Sequence, residues 1–208
     1  AWLGEFVPQP DVNQVLNGAM KGNISNVGYN SKFYYPLKGG IASLTQKLLK
    51  DKKRLMLKKE VVKISFSEKK LFFSDNSSLK YSELVNTMPL KKFIEISDAP
   101  QKVKDAAKNL KHNTVYVLNL GIRKTRFKQH WIYFPEKRFP FYRIGFYTNF
   151  SKYLAPNGFD SIYIELSTKE NEAIDIQKKY FKILKSLIEL KIIRSEKDII
   201  TKLWSRIE

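Results

Sequence analysis

The spacing of hydrophobic positions changes period several times along this chain, and each change predicts an element. Val12, Val15, Leu16 and Met20 follow a helical period, with Asp11 as a candidate N-cap. Residues 2–10 read as extended, closed by Pro8 and Pro10, and residues 22–30 read as loop. The stretch from Gly28 to Leu49 then carries the sharpest pattern. Phe33, Tyr34 and Tyr35 lead into Pro36; Gly39-Gly40 follows; Ile41, Leu44, Leu48 and Leu49 come next at helical spacing. An extended segment that stops at a glycine pair and turns into a helix running to about Lys50 is predicted. Glycine permits positive φ and close approach of a ligand or another backbone. A helix start opened by two glycines also leaves N–H groups for an anion or a polar ligand edge. A tight turn with no ligand fits the same spacing.

Beyond the basic knot Lys50-Asp51-Lys52-Lys53-Arg54, read as a solvated turn, the period shortens to two. Strands are predicted at Leu55–Lys59, Val61–Phe66, Leu71–Phe73, Leu79–Tyr81 and Leu84–Met88, with a hairpin turn at Asp75-Asn76-Ser77-Ser78 and Pro89 as the final stop. An amphipathic helix follows from about Pro100 to Leu110, with Val103, Ala106, Ala107 and Leu110 on one side. Thr114–Ile122 alternates, and further strands are expected at His130–Phe134, Phe141–Tyr147 and Ser161–Leu166. The last forty residues read as helical: Ile174, Phe181, Leu184, Leu187 and Ile188 share a face, and Ser195 opens a final helix ending with Trp204. The fold class expected is α+β, a mixed, mostly antiparallel sheet with packed helices.

Length and composition place this pattern in a globular protein. The 208 residues suffice for one domain or two small ones, and 43% hydrophobic with 13% aromatic content argues against disorder. The absence of cysteine excludes disulfides and thiolate chemistry and fits a reducing, cytoplasmic setting. No apolar run approaches the ~20 residues of a membrane span, and no signal peptide is visible. The first residues, Ala1-Trp2, read as those of a processed or excised piece. The net charge of +18 admits two explanations. One is a footprint for nucleic acid, anionic lipid or phosphorylated ligands. The other is compositional bias, favoured here because 31 of the 38 basic residues are lysines scattered along the chain and only seven are arginines.

Sequence chemistry alone assigns no reaction. The dinucleotide fingerprint GxGxxG, the P-loop and GxSxG are all missing, and acidic residues do not pair at catalytic spacing. The two histidines, His112 and His130, read as ordinary strand-edge residues, and no metal site is expected.

Four segments, in order, resemble the FAD-dependent amine-oxidase-like group, which includes protoporphyrinogen oxidases, phytoene desaturases and UDP-galactopyranose mutase relatives. Phe33 to Ile41 is similar to its Phe-x-Tyr-Pro-x-x-Gly-Gly-Ile segment. Lys59-Glu60-Val61-Val62-Lys63-Ile64 resembles its Val-x-x-Ile strand. Phe73 to Leu90, ending Thr87-Met88-Pro89-Leu90, resembles its hairpin and return strand. Arg143 to Ser151, with Ala155-Pro156-Asn157-Gly158 and Ile162 to Glu165, resembles a block of the mutase-like branch. The likeness covers most of residues 1–167. Such proteins open with a glycine-fingerprint βαβ unit and close with a second flavin-contacting segment; neither is found in this sequence.

The resemblance therefore implies a single substrate-binding domain fragment over 1–208 of a larger flavoprotein, with 51–90 resembling a flavin-domain β-meander and 168–208 a helical C-terminal part. It implies FAD as cofactor of the full-length protein, with Val61, Thr87 and Pro89 on the cofactor side and the missing FAD-binding domain as partner. Tyr35, Gly39, Gly40, Arg143 and Tyr147 fall on the substrate side, Arg143 as the candidate for an anionic substrate group. Trp131, Tyr133 and Phe141 could complete an aromatic-walled cavity, though strand aromatics also serve as core and Arg143 could simply pair with Glu165. The reaction implied is hydride removal from a C–N or C–C bond, or a flavin-assisted sugar ring rearrangement on sugar or glycolipid precursors. A basic nucleic-acid- or anionic-surface-binding module without catalysis is the alternative, resting on charge alone.

Overall fold

The structure is a computed structural model that describes residues 11–21, 33–49, 55–170 and 172–207. Gly28 to Lys32, the proline-flanked start and the basic knot at 50–54 lie outside the described residues. Helix α1 spans Val12–Lys21 and helix α2 spans Ala42–Leu48. A three-stranded antiparallel meander follows: β1 (Val61–Ser65), β2 (Lys70–Phe73) and β3 (Ser78–Lys80). Its turns come from local chemistry. Asn76 takes φ of 64° in the hairpin, and Asp75 accepts from Ser77 N at 3.0 Å. Asp98 binds the other turn by accepting from Phe66 N and Ser65 Oγ, both at 2.8 Å, which holds its carboxyl well below the usual carboxylate range.

Helices α3 (Leu90–Glu95) and α4 (Gln101–Lys108) connect the meander to a five-stranded sheet. That sheet contains β4 (Asn113–Arg123), β5 (Trp131–Tyr133), β6 (Arg143–Phe146), β7 (Phe159–Lys169) and β8 (Ile199–Ile207) in the order β5-β6-β7-β4-β8, all antiparallel. Between β6 and β7 lies the short helix α5 (Tyr147–Phe150), and α6 (Ile176–Glu189) precedes β8.

Alternation along the two longest strands decides which face is core. Tyr116, Leu118, Leu120 and Ile122 of β4 pair in register with Leu166, Ile164, Ile162 and Asp160 of β7, and all but Asp160 belong to the main hydrophobic cluster. Helix α6 closes this face with Tyr180, Ile183, Leu184 and Leu187. Asp175 caps α6 by accepting from Lys178 N at 2.9 Å. Tyr163 and Glu165 of β7, and Arg143 and Gly145 of β6, point to the opposite face, where Tyr147 of α5 packs on Tyr163.

Several expectations need correction. The final helix from Ser195 to Trp204 is a 3-10 turn at Glu196–Asp198 followed by strand β8, so 168–208 is helical only through α6. Ile199, Ile200 and Thr201 are β-branched, and Leu203, Ser205 and Ile207 alternate with Lys202, Trp204 and Arg206. This pattern suits the open edge of β4. Leu55–Lys59 and Leu84–Met88 form no ladder pairing, and Lys58 in the first takes φ of 57°. In the second of these, the Asn86 side chain accepts from Met88 N at 3.0 Å and so forms a local turn. Helix α3, directly after Pro89, was not expected.

Candidate functional site

The face of the large sheet opposite α6 carries a cross-strand row whose members lie far apart in sequence. Tyr133, Arg143 and Glu165 are register partners across β5, β6 and β7. Glu165 is 9% exposed, and it accepts from Arg143 Nε at 2.7 Å and from Arg143 Nη2 at 2.8 Å. Tyr142 donates to the same carboxylate at 2.6 Å, and Arg143 Nη1 donates to Tyr133 Oη at 3.1 Å. A guanidinium has five N–H donors, so these three bonds leave two for a ligand. The forked pair fixes the plane of Arg143, and its bonds to Glu165 hold its proton more firmly than usual against the opposing effect of burial.

The next row of this face is built on a glycine. Gly145 lies opposite Tyr163, and a Cβ at Gly145 would sit 2.0 Å from the Tyr163 ring. The missing side chain thus lets the phenol lie flat across β6. Tyr163 in turn packs on Tyr147, with ring centroids 4.6 Å apart, and the guanidinium of Arg143 lies 5.9 Å from the Tyr163 ring.

The segment before the glycine pair closes the far side. Phe33 packs on His130, Trp131 and Phe150 at centroid distances of 5.0, 5.7 and 5.4 Å, and Tyr35 packs on Phe150 at 5.3 Å. Ser151 Oγ donates to Leu37 O, tying the segment to the end of α5. Gly39 and Gly40 take φ of 80° and 61°, as their position before a helix predicts. A Cβ on Gly40 would lie 3.6 Å from both Tyr35 Oη and Leu154 Cδ2. Helix α2 begins after Ile41 without any side-chain cap.

Four of the five sequence-nominated substrate residues therefore fall along one connected surface: Gly40, Tyr35, Tyr147 and Arg143, linked through Phe150 and Tyr163. Gly39 adjoins them, but its nearest neighbour is Ser43 in α2. Trp131 and Tyr133 lie on the same surface. Phe141 does not: it is 4% exposed, stacked with Phe139 and edge-on to Phe134 in the core, because it lies before β6 where the chain turns under the sheet. Sequence reasoning did not nominate Phe33, Tyr142, Phe150 or Tyr163. Only the strand register, a nonlocal property, brings Tyr163 over Gly145.

Val61, Thr87 and Pro89 lie on the meander side. Val61 opens the edge strand β1 and is half-buried, Thr87 is exposed, and Pro89 precedes α3. The meander side meets the large sheet through Lys91, which binds Glu170 at 2.6 Å, with His112 Nδ1 3.9 Å from the same carboxylate. Among the described residues, no group of three or more metal-ligating side chains occurs. No helix among them is long and apolar enough to cross a membrane.

Two measurements check this geometry. Burial pushes the Tyr163 phenol up to about 12, and burial together with the Glu165 hydrogen bond raises Tyr142 as well. Above pH 10, the unfolded chain releases these protons while the folded protein keeps them. Stability is therefore expected to be intact below about pH 10 and to fall as pH rises toward 12. Tyr163→Phe should flatten that fall; denaturation midpoints at pH 8 and pH 11 that drop equally in both proteins would contradict it. Phe150→Ala, which removes the ring shared by Phe33, Tyr35 and Trp131, is expected to cost about 2 kcal/mol. It should also change Trp131 fluorescence before global unfolding.

No protein-family model matches the chain. Its fold matches that of a reduced UDP-galactopyranose mutase with a TM-score of 0.82 and 22% identity, covering 100% of this chain and 47% of the mutase. A protein from Exiguobacterium sp. 255-15 assigned as a protoporphyrinogen oxidase matches with a TM-score of 0.58 and 13% identity, over 80% of this chain and 38% of its own. A Pyrococcus furiosus protein matches with a TM-score of 0.56 and 16% identity, over 72% of this chain and 37% of its own. The chain thus spans about half the length of the mutase. The mixed α+β arrangement of meander, antiparallel sheet and packed helices is thus the fold of about half of a UDP-galactopyranose mutase.

Proposed function

We propose that the chain is the substrate-binding portion of a FAD-dependent enzyme of the amine-oxidase-like group, acting on a sugar-nucleotide or glycolipid precursor. The observation that carries this reading is the connected aromatic surface running from Tyr35 through Tyr147 and Tyr163 to Arg143. It lies within a fold that superposes along its whole length on a UDP-galactopyranose mutase.

The chemistry of that surface suits a hydroxyl-rich ligand. Aromatic faces pack against the apolar faces of a sugar ring, and the Tyr133 and Tyr147 hydroxyls with the two remaining N–H groups of Arg143 supply donors. Glu165 offsets the charge of Arg143, so an anionic group would be held mainly by directed hydrogen bonds. Glu165 itself acts as a positioning residue for Arg143.

FAD would supply the redox chemistry when bound. What this chain offers it is limited to the meander side: Val61 on edge strand β1, with Thr87 and Pro89 where the chain leaves the meander. No glycine fingerprint occurs in the sequence. The cofactor's diphosphate would therefore be held by a FAD-binding portion outside these 208 residues, which is the partner this reading requires.

The test is a titration of the complete gene product with UDP-galactose, comparing the native protein with Arg143→Lys and Tyr147→Phe. Lysine keeps the charge but loses the fork. Both variants are expected to bind at least about tenfold more weakly while keeping their flavin spectrum. Binding unchanged in both would overturn the assignment of this face.

A further inference from the structure

The positive charge of the chain is not evenly deployed. Lysines are scattered, but three of the seven arginines line one open cavity of about 640 Å³ at the end of the large sheet. We propose that this cavity is a binding site for a phosphate- or diphosphate-bearing ligand, separate from the aromatic face.

Two ordered walls bring the cations together. One is the turn leaving β4, with Arg123, Lys124 and Arg126. It is held by Thr125 N donating to Asp160 Oδ2 at 2.6 Å and by Lys124 N donating to Gly158 O at 3.2 Å. The other is the turn leaving α6, with Lys191 and Arg194. There Lys191 takes φ of 57°, and Ile192 N donates back to Leu187 O at 2.9 Å, a helix-ending turn that fixes the wall's direction. Buried Ile192 and Ile193 lie behind it.

Five basic side chains thus face one carboxylate, Asp198. Its position organises the arginines without consuming them. Asp198 accepts from Arg194 N at 2.8 Å and lies 3.6 Å from Arg123 Nε and 3.5 Å from Arg194 Nε. The side chains of Arg123 and Arg194 nevertheless stay 59% and 87% exposed beside it. Lys124, Arg126 and Lys191 have none among the described residues. The guanidinium fork matches phosphate oxygens geometrically. Opposed walls converging on a concavity suit one compact anion better than a flat surface. Among the described residues, no aromatic side chain lines the cavity, so they supply no stacking platform of the kind a single-stranded nucleic-acid site uses.

The position also keeps the site open. Strand β4 begins beside the Lys91–Glu170 joint to the meander and ends at Arg123, about 34 Å away at the rise of an extended strand. The FAD-binding portion proposed above would meet the other end.

The test uses sodium pyrophosphate, titrated by calorimetry at constant ionic strength. The native chain is compared with Arg126→Glu/Arg194→Glu and with a control carrying the same charge change elsewhere, Lys80→Glu/Lys102→Glu. All four side chains are exposed, and thermal melts check that each protein folds. Saturable binding that falls at least about tenfold in the arginine pair and stays within about twofold in the control is expected. Equal losses in both, or no saturable binding by the native chain, would overturn the proposal. Phosphatidylglycerol vesicles that displace pyrophosphate where phosphatidylcholine vesicles do not would support the site and assign its phosphate to a lipid headgroup. Failure of both to displace it would support the site and assign it to a soluble ligand. Neither outcome depends on UDP-galactose binding at the aromatic face.

Discussion

Gly145→Ala is expected to be among the most damaging single-atom additions to this protein. The new methyl carbon would overlap the Tyr163 ring at 2.0 Å from Cε1 and Cζ. Neither partner can step aside cheaply. Gly145 is fixed in β6 by pairing with Trp131 on one side and Tyr163 on the other, and Tyr163 is held against Tyr147. Overpacking of this kind costs about 3 kcal/mol, which for a chain of this size corresponds to a fall in Tm on the order of 6–12 °C. The loss should come with exposure of Tyr163, read by its titration moving back toward that of a free phenol. A Gly145→Ala protein with native stability and an unmoved Tyr163 would show that the ring does not lie across the glycine. The double variant Gly145→Ala/Tyr163→Ala should recover part of the loss, because it removes the group that the methyl strikes.

Glu165→Ala is expected to cost about 3 kcal/mol, for a different reason. Removing the carboxylate leaves the Arg143 guanidinium without its counter-charge and deprives the Tyr142 hydroxyl of its acceptor. Burying a lone cation is more costly than burying a forked pair. The side chain of Arg143 is 29% exposed, which lets water relieve part of that penalty. The double variant Arg143→Met/Glu165→Leu should therefore be more stable than Glu165→Ala, since it leaves no orphaned charge. Chemical denaturation of the single and double variants gives the coupling directly. A double variant whose loss equals the sum of the losses of Arg143→Met and Glu165→Leu alone would mean that the pair is not an energetic unit. Ligand binding should separate stability from function: the double variant is expected to fold well and bind poorly, because its fork is gone.

Much of this architecture is readable from local pattern, and the failures have a common cause. Gly39-Gly40 before an apolar helical period announced positive φ, and the long alternations of β4 and β7 announced a sheet with one buried face. Arg143 was readable both as a ligand contact and as a partner of Glu165, and the structure shows that pairing in place. Strand β8 was misread because Ile199 to Trp204 carries apolar residues at spacings that also fit a helix turn. Its strand character comes from the free edge of β4, which local sequence does not display. The Leu84–Met88 run was misread because a single side chain, Asn86, diverts its backbone into a turn. Tyr163 and Phe150, which join the nominated residues into one surface, gave no signal of their own. Their importance depends on register across three strands and on docking of the 33–40 segment, both of them long-range properties. Phe141, which sequence placed beside Arg143, shows the converse: one residue, Tyr142, separates it from Arg143, and it lies in the core.

The central claim is that this chain forms the substrate side of a flavoenzyme whose cofactor is held largely by a separate portion. The most direct measurement is the near-ultraviolet and visible absorbance spectrum of the complete gene product, purified without added cofactor and then titrated with FAD. The account predicts a bound-flavin spectrum at one FAD per chain, and little or no FAD binding by residues 1–208 alone, since no glycine fingerprint occurs in them. A complete gene product that neither carries nor takes up FAD, or stoichiometric FAD binding by residues 1–208 alone, would contradict it.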